Sequence, residues 1–197
     1  MIKTIFFDAD GVTIYEEKRF GNRLADDYNI PYEKILYFFK GEFLLCSEGK
    51  ADLKEEIVKY FDNWGWDKSL DELLKYWFEG TKTKSEILET VDKLKSNGSN
   101  CYLVTDQEKY RAGYISNDLN FDKIFDKCFY SCDIGYRKIH KQFFEKILKE
   151  INVNPDEILY WDDDDKNLTV ANELGIKTEL YSDFDSFVKK MQEYRIL

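Results

Sequence analysis

The stretch Ile2-Lys3-Thr4-Ile5-Phe6-Phe7-Asp8-Ala9-Asp10-Gly11-Val12 decides the fold of this chain, because an apolar run stops abruptly at two aspartates. A short apolar run of this kind is typical of a strand that is buried on both faces. Residues two apart on a strand point to the same side, so Asp8 and Asp10 are expected to lie together where the strand ends. Gly11 would then let the chain turn sharply away from the strand.

Four further apolar runs follow, and amphipathic helical patterns separate them. The runs are Cys101–Val104, Lys127–Tyr130, Ile158–Trp161 and Lys177–Tyr181. The helical segments are Ser85–Ser96, Ile139–Glu150, Leu168–Leu174 and Asp185–Tyr194. Strands that alternate with helices are joined by right-handed crossovers and form a parallel sheet. The sequence therefore predicts an α/β fold with a Rossmann-like, mostly parallel sheet.

The segment from Tyr15 to Lys84 contains no convincing strand and is instead predicted to form about four helices. Two of them begin at sequences with the form of a capping box, Asp52-Leu53-Lys54-Glu55 and Ser69-Leu70-Asp71-Glu72. We therefore predict an α/β core domain of residues 1–14 and 85–197. A small all-helical cap of residues 15–84 is predicted between the first and second strands of that core.

The composition excludes several classes of protein. The 197 residues carry 29 basic and 39 acidic side chains, and the resulting net charge of −10 argues against a nucleic-acid partner. No apolar run approaches the ~20 residues of a membrane span. Lys3 interrupts the apolar N-terminus too early for a signal peptide, so we expect a cytoplasmic protein. The four cysteines show no metal-binding spacing and are expected to be reduced thiols.

Polar side chains follow the predicted strands at their carboxyl ends, where open parallel sheets bind ligands. These residues are Asp8, Asp10, Thr105, Asp106, Lys138, Asp162 and Asp163. Two like charges about 5 Å apart repel by roughly 3 kcal/mol at an effective dielectric constant of about 20, so the clustered aspartates predict a bound cation. Oxygen ligands without Cys or His favour Mg²⁺.

Each of these residues also has a structural explanation when it is taken alone. Asp8 and Asp10 could form a turn, Asp162 and Asp163 could cap the following helix, and Lys138 could be a surface lysine. Their arrangement at the ends of separate strands is what favours a catalytic site over these structural explanations. One of the first two aspartates could attack a phosphorus atom while the other transfers protons. Lys138 and the hydroxyl of Thr105 could then hold the phosphoryl oxygens.

Four segments resemble, in order, the motifs of the haloacid dehalogenase superfamily in its phosphatase branch. They are Asp8–Val12, Leu103–Asp106, Gly135–Lys141 and Ile158–Asn167. In the third segment Lys138 keeps its place, whereas Ile139 and Lys141 stand where the family has prolines. Lys138 is therefore favoured over Lys141 as the lysine of the site.

The resemblance implies a role for each residue of the site. Asp8 would be the nucleophile and Asp10 the acid/base, while Thr105, Asp106 and Lys138 would bind the phosphoryl group. Mg²⁺ would be bound by the Asp8 carboxylate, the Asp10 backbone carbonyl and the Asp163 carboxylate. Asp162 would bind the ion either directly or through water.

The function implied by the resemblance is that of a Mg²⁺-dependent phosphomonoester hydrolase, acting on a small phosphorylated metabolite through an aspartyl-phosphate intermediate. Phe38–Phe43 and Gly49–Asp52 look similar to caps of the sugar-phosphate phosphatases related to the phosphatase domain of epoxide hydrolase. The alternatives are a phosphomutase of the same superfamily, which uses the same catalytic residues, and a non-catalytic protein that binds a phosphorylated ligand. We expect a monomer or a weak homodimer that does not bind membranes.

Two other classes of protein are disfavoured. A dehalogenase is expected to lack the acid/base aspartate at the position of Asp10. A signalling receiver domain also combines aspartates, a threonine and a lysine, but there the acidic pair would come early in the chain. No helical insertion would divide the first crossover of a receiver domain.

Overall fold

The computed structural model describes residues 1–197 and contains seven strands. They are β1 (Thr4–Phe7), β2 (Ile14–Tyr15), β3 (Lys82–Thr83), β4 (Asn100–Thr105), β5 (Lys127–Tyr130), β6 (Ile158–Asp162) and β7 (Lys177–Leu180). Five of them form a sheet in the order β5-β4-β1-β6-β7, and every neighbouring pair in it is parallel. The predicted parallel α/β fold is confirmed.

Thirteen α-helices connect these strands. They are α1 (Phe20–Tyr28), α2 (Tyr32–Lys40), α3 (Glu42–Ser47), α4 (Leu53–Ile57), α5 (Phe61–Trp64), α6 (Leu70–Phe78), α7 (Ser85–Ser96), α8 (Lys109–Gly113), α9 (Phe121–Ile124), α10 (Ser131–Ile134), α11 (Lys141–Ile151), α12 (Asp165–Asn172) and α13 (Phe184–Glu193). A π-helical turn over Tyr114–Asp118 continues α8. No helix combines the length and the apolar composition that crossing a lipid bilayer requires.

The central strand β1 is buried on both faces of the sheet, as its run of apolar residues predicts. Ile5 and Phe7 point into a cluster of 20 buried residues on one face. Phe6 points into a second cluster, of 11 buried residues, on the other face. Because side chains alternate along a strand, a continuous apolar run is what allows β1 to be covered from both sides. The position of β1 between β4 and β6 brings the ends of these three strands together.

The segment between β2 and β3 has a hydrophobic cluster of its own. Thirteen buried residues, from Phe20 to Trp77, form it. Aromatic rings dominate this cluster, and Phe20 stacks on Trp77 with 4.5 Å between ring centroids. The division into a core and a cap at residues 15–84 remains a prediction.

Two expectations for this segment are wrong. Tyr15 and Lys82 pair in an antiparallel ladder of two residues on each side, whereas no strand was expected between residues 15 and 84. A ladder this short carries no alternating pattern that the sequence could reveal. Six α-helices, not about four, follow β2, because α3 and α5 are too short to show helical periodicity.

One of the two predicted capping boxes is confirmed. Ser69 and Glu72 form a complete capping box at the start of α6. Asp52 accepts the backbone N–H of Lys54 at the start of α4, although no reciprocal bond from Glu55 accompanies it. All four cysteines are free thiols.

Candidate active site

The carboxyl ends of β1, β4 and β6 meet at one edge of the sheet and bring three predicted site residues together. Asp8 follows β1, while Thr105 and Asp162 end β4 and β6. The register pairs Phe7 with Leu103 on one side and with Trp161 on the other, so Asp8 is level with Asp162 and one residue short of Thr105. All three side chains are buried. The topology therefore places two carboxyl groups and a hydroxyl where a ligand could bind.

Lys138 joins two of these strand ends through its side chain. Its Nζ lies 2.8 Å from Asp8 Oδ1 and 2.7 Å from Asp162 Oδ2, and only 3 % of the lysine side chain is exposed. Burial alone would lower the pKa of this ammonium group, but the charges of Asp8 and Asp162 outweigh burial and raise it. Lys141, the other candidate, lies on the surface and pairs with Glu173. Of the two candidates, Lys138 is the one that contacts Asp8 and Asp162, and its catalytic role remains a prediction.

The carboxyl group of Asp8 is under opposing influences. Burial raises its pKa, the Lys138 ammonium lowers it, and the neighbouring Asp162 carboxylate raises it again, so that the pKa lies well above its usual range. The backbone N–H of Asp8 donates to the Trp161 carbonyl at 2.9 Å, which continues the sheet ladder to this residue. Asp8 is therefore held rigidly in a place where a further positive charge would stabilise its ionised form.

Asp162 is surrounded by hydrogen-bond donors from its own chain. Besides Lys138, the hydroxyl of Tyr160 donates to Oδ2, and the backbone N–H of Asp164 donates to Oδ1 at 2.8 Å. The Asn167 amide donates at 3.2 Å. A buried carboxylate needs such donors because water cannot reach it. These bonds fix Asp162 and, through it, the position of the Lys138 ammonium group.

The residues present fit a divalent cation. Carboxylate oxygens of Asp8, Asp162 and Asp163 all lie within 4.8 Å of one another. Gly11 makes room for this group, because a Cβ atom at this position would lie 2.1 Å from Oδ2 of Asp163. Gly11 also has φ = +81°, a conformation that side chains disfavour. A donor set composed only of oxygen atoms is the one that Mg²⁺ prefers.

Asp10 lies beside this group, but its side chain has different partners. Both of its oxygens pair with the fork of the Arg111 guanidinium group at 2.7 Å. Gln107 Nε2 donates to Oδ2 of Asp10 at 2.6 Å. Burial raises the pKa of Asp10, but Arg111 and Gln107 outweigh burial and leave the pKa below its usual value. Asp10 is thus held as a carboxylate, and its predicted metal contact through the backbone carbonyl remains a prediction.

The two residues at the end of β4 differ in their surroundings. The hydroxyl of Thr105 accepts only a long bond, 3.4 Å, from Gln107 Nε2 and has capacity for a ligand. The Asp106 carboxylate accepts the backbone N–H of Lys138 at 2.9 Å and Arg137 Nε at 3.3 Å. Asp106 therefore holds the segment that carries Lys138, and its predicted role in substrate binding stays a prediction.

Three residues of the site were missed by the sequence reasoning. Arg111 and Gln107 bind Asp10, and Tyr160 binds Asp162. In the sequence, nothing distinguishes Tyr160 from the other apolar residues of its buried strand. Nothing distinguishes Arg111 from the other charged residues on helices. Gln107 directly follows Thr105 and Asp106 in the sequence. This position beside two predicted site residues was the one signal that could have identified it.

Comparison with known proteins identifies relatives of this chain. A family model described as haloacid dehalogenase-like hydrolase matches residues 2–175. The D-ribitol-5-phosphate phosphatase of Bacteroides thetaiotaomicron is 24% identical over 203 residues, covering 90% of this chain and 91% of the relative. The pyrophosphatase PpaX of Bacillus cereus is 24% identical over 189 residues, covering 92% and 83%.

Other relatives are much longer than this chain. A 68-residue match to drimenol cyclase of Aspergillus calidoustus is 32% identical and covers 34% of this chain. A 129-residue match to bifunctional epoxide hydrolase 2 of Rattus norvegicus is 23% identical and covers 64% of this chain. The chain spans only 13% and 23% of the length of these two relatives.

Solved structures share the fold along nearly the whole chain. A hydrolase of Porphyromonas gingivalis described as HAD-like superimposes with a TM-score of 0.84 at 20% identity, covering 99% of this chain and 98% of the other. A HAD family enzyme of Bacteroides thetaiotaomicron, in complex with magnesium and inorganic phosphate, superimposes with a TM-score of 0.80 at 21% identity, covering 92% and 95%.

Proposed function

This chain belongs to the haloacid dehalogenase-like hydrolases, as its motifs indicate, and on that premise we propose that it is a magnesium-dependent phosphomonoester hydrolase acting on a small phosphorylated metabolite. One observation carries the proposal. The Lys138 ammonium group bridges Asp8 and Asp162, and the Asp163 carboxylate lies within 4.8 Å of both carboxylates. Such a cluster of anions and one cation is suited to a nucleophilic carboxylate that works beside a phosphoryl group.

The first chemical step is assigned to Asp8. One of its carboxylate oxygens attacks phosphorus and forms a new P–O bond. The bond to the leaving oxygen breaks, its electron pair stays on that oxygen, and the carboxyl group of Asp10 supplies the proton. The product is an aspartyl phosphate at Asp8 together with a free alcohol, and Asp10 is left as a carboxylate.

The second step returns the site to its starting state. Asp10 takes a proton from a water molecule as that water attacks phosphorus. The bond between phosphorus and Asp8 then breaks, and its electron pair restores the Asp8 carboxylate. The Arg111 fork holds Asp10 in the ionised form that this step needs. The first step needs the protonated form of Asp10, so Asp10 must bind a proton before the substrate reacts.

The remaining residues orient the phosphoryl group. Lys138 and the Thr105 hydroxyl are placed to hold its oxygen atoms while Asp8 attacks. When bound, Mg²⁺ supplies a positive charge that neutralises the clustered carboxylates and the phosphate. Asp8, Asp163, Asp162 and the Asp10 carbonyl would hold the ion.

A phosphorylated sugar or polyol is the proposed substrate class. The relative from Bacteroides thetaiotaomicron that acts on D-ribitol 5-phosphate supports this choice, because it matches over almost its whole length. In this proposal the helical segment between β2 and β3 covers the substrate and excludes bulk water.

The test is phosphate release from p-nitrophenyl phosphate and from a panel of sugar and polyol phosphates. We expect activity with Mg²⁺, its loss in EDTA and its return when Mg²⁺ is restored. Asp163→Asn should raise the Mg²⁺ concentration that is needed for half-maximal activity. The matched variant Asp165→Asn should not, because Asp165 is as exposed as Asp163 but does not belong to the cluster of Asp8, Asp162 and Asp163.

Two results would contradict the proposal. Full activity in EDTA would exclude the metal assignment. Conversion of a sugar phosphate into its isomer without release of inorganic phosphate would identify a phosphomutase instead.

A further inference from the structure

The first turn of α8 presents three consecutive side chains to two different parts of the molecule. Arg111 pairs with Asp10 in the site. Lys109 and Tyr110, the two preceding residues, both bind Asp52 in the helical segment between β2 and β3. The Tyr110 hydroxyl lies 3.0 Å from each oxygen of the Asp52 carboxylate. All three side chains stand on one helical turn, so a shift of that turn moves both contacts together.

The first turn of α8 is also fixed by hydrogen bonds to the residues around it. The buried Glu108 side chain accepts the backbone N–H groups of Tyr110 and Arg111 at 2.7 and 2.6 Å. The preceding residue, Gln107, donates its backbone N–H to the Ser131 hydroxyl, which itself donates to the Ser47 carbonyl at the end of α3. The Arg111 turn therefore has two connections to the helical segment, one through Asp52 and one through Ser47.

Asp52 is equally well fixed within its own segment. Its Oδ1 accepts the backbone N–H of Lys54 at 2.8 Å and so caps the start of α4. Burial raises the pKa of Asp52, but the bonds from Lys109, Lys54 and Tyr110 outweigh burial and lower it. Asp52 therefore ties the start of α4 to α8 by contacts on both of its oxygens.

Arg111 is buried, and its contact with Asp10 depends on the shape of the guanidinium group. Only 8% of its side chain is exposed, whereas 47% of the Asp10 side chain is exposed. Gln107 accepts from one arm of the same guanidinium group at 3.0 Å and donates to Asp10, which closes a ring of three residues. A lysine could supply the charge but not the planar pair of donors.

We propose that Arg111 is a positioning residue for the acid/base Asp10, and that the first turn of α8 couples the position of Asp10 to the contact that Asp52 makes from the helical segment. The catalytic part of this inference rests on the proposed function. The structural part does not depend on the proposed function, because it concerns only the contacts that one helical turn makes with Asp10 and with Asp52. Coupling is reciprocal, so loosening either contact must loosen the other.

The structural part is tested by hydrogen exchange, without any substrate. In Asp52→Asn we expect the amides of the turn after Asp10, those of Gly11, Thr13 and Ile14, to exchange about 5-fold faster or more. In Arg111→Lys the amides of Lys54 and Glu56, at the start of α4, should exchange faster by a similar factor. The matched control is Asp71→Asn, the same chemical change at an acidic residue that pairs only with Lys54. If the amides of Gly11, Thr13 and Ile14 exchanged at the same rate in Asp52→Asn as in Asp71→Asn, the coupling would be overturned.

The catalytic part is tested by comparing two leaving groups. An alkyl alcohol needs a proton from Asp10 as it departs, whereas p-nitrophenolate leaves without one. In Arg111→Lys and Arg111→Ala, kcat/KM for an alkyl phosphate should fall by about 10²–10⁴-fold, with a much smaller fall for p-nitrophenyl phosphate. Free guanidinium should restore part of the activity of Arg111→Ala. Arg23→Lys is the control, since the contacts of Arg23 are with the carbonyl groups of Tyr76 and Trp77 and with the Tyr76 ring, all on α6.

The outcomes separate the two ideas. Equal losses for both leaving groups, without rescue, would remove Arg111 as a positioning residue. A wild-type protein that hydrolyses no phosphoester would refute the proposed function, while the hydrogen-exchange result would still decide the coupling.

Discussion

The parallel sheet and the helical segment between β2 and β3 are stabilised in different ways. Every strand of the sheet is paired to its neighbour by backbone hydrogen bonds, and its two faces are covered by separate apolar clusters. The helical segment has no helix longer than nine residues, and its cluster is built from aromatic rings such as those of Phe20, Phe38 and Trp77. Aromatic rings pack here in stacked, tilted and edge-to-face pairs, whereas backbone pairing fixes one register.

The difference explains where the site residues lie. Asp8, Asp162 and Asp163, the proposed nucleophile and metal ligands, lie at the ends of strands or directly after them, whereas Lys138 lies in the loop that follows α10. Chemistry on phosphorus requires atoms to be placed within a fraction of an ångström, and strand ends fixed by a ladder meet this requirement. The helical segment reaches the site through polar contacts at its edge, at Ser47 and Asp52.

Asp8→Asn should have the largest effect and should affect activity alone. Loss of the proposed nucleophile should lower kcat by about 10⁴-fold or more. The fold should persist, because Lys138 keeps Asp162 as its partner. Steady-state kinetics and urea unfolding of the same preparation measure both quantities, with Asp156→Asn on the surface as control. A variant that retained a tenth of the wild-type rate would remove Asp8 as the nucleophile.

Trp77→Ala should have the next largest effect, on the stability of the helical segment. The side chain is buried and stacks on Phe20, so its removal should lower the free energy of unfolding by about 3–5 kcal/mol. Hydrogen exchange should show the loss in residues 20–78 and continued protection of β1. Tyr37→Ala, an exposed aromatic residue of the same segment, should change stability by no more than about 0.5 kcal/mol. Equal loss of protection in β1 would mean that the two regions unfold as one unit.

Ser69→Ala should have the smallest effect. It removes the hydroxyl that completes the capping box of α6 and should lower the free energy of unfolding by about 1 kcal/mol. Ser85→Ala provides the comparison, because the side chain of Ser85, the first residue of α7, caps nothing. Thermal unfolding of both variants measures the difference. The same midpoint for both would show that the box contributes no stability.

Much of the fold could be predicted because it depends on local patterns. The limits of α7 agree with its apolar periodicity, and β5 covers the predicted residues 127–130. The convergence of Asp8, Thr105 and Asp162 could be expected as well, since parallel strands place their carboxyl ends at one edge. The β2–β3 ladder and the short helices α3 and α5 could not be predicted, because each is too short to show the repeat that would reveal it.

The sequence by itself determined the five strands of the parallel sheet, its longer helices, and the polar residues that stand at the strand ends. Only the tertiary structure decided the partners of those polar residues. Arg111 meets Asp10 across 101 positions of the chain, and Lys109 meets Asp52 across 57. Apolar patterning acts over a few residues, whereas the partner of a buried charge is decided by the groups that packing brings within about 3 Å of it.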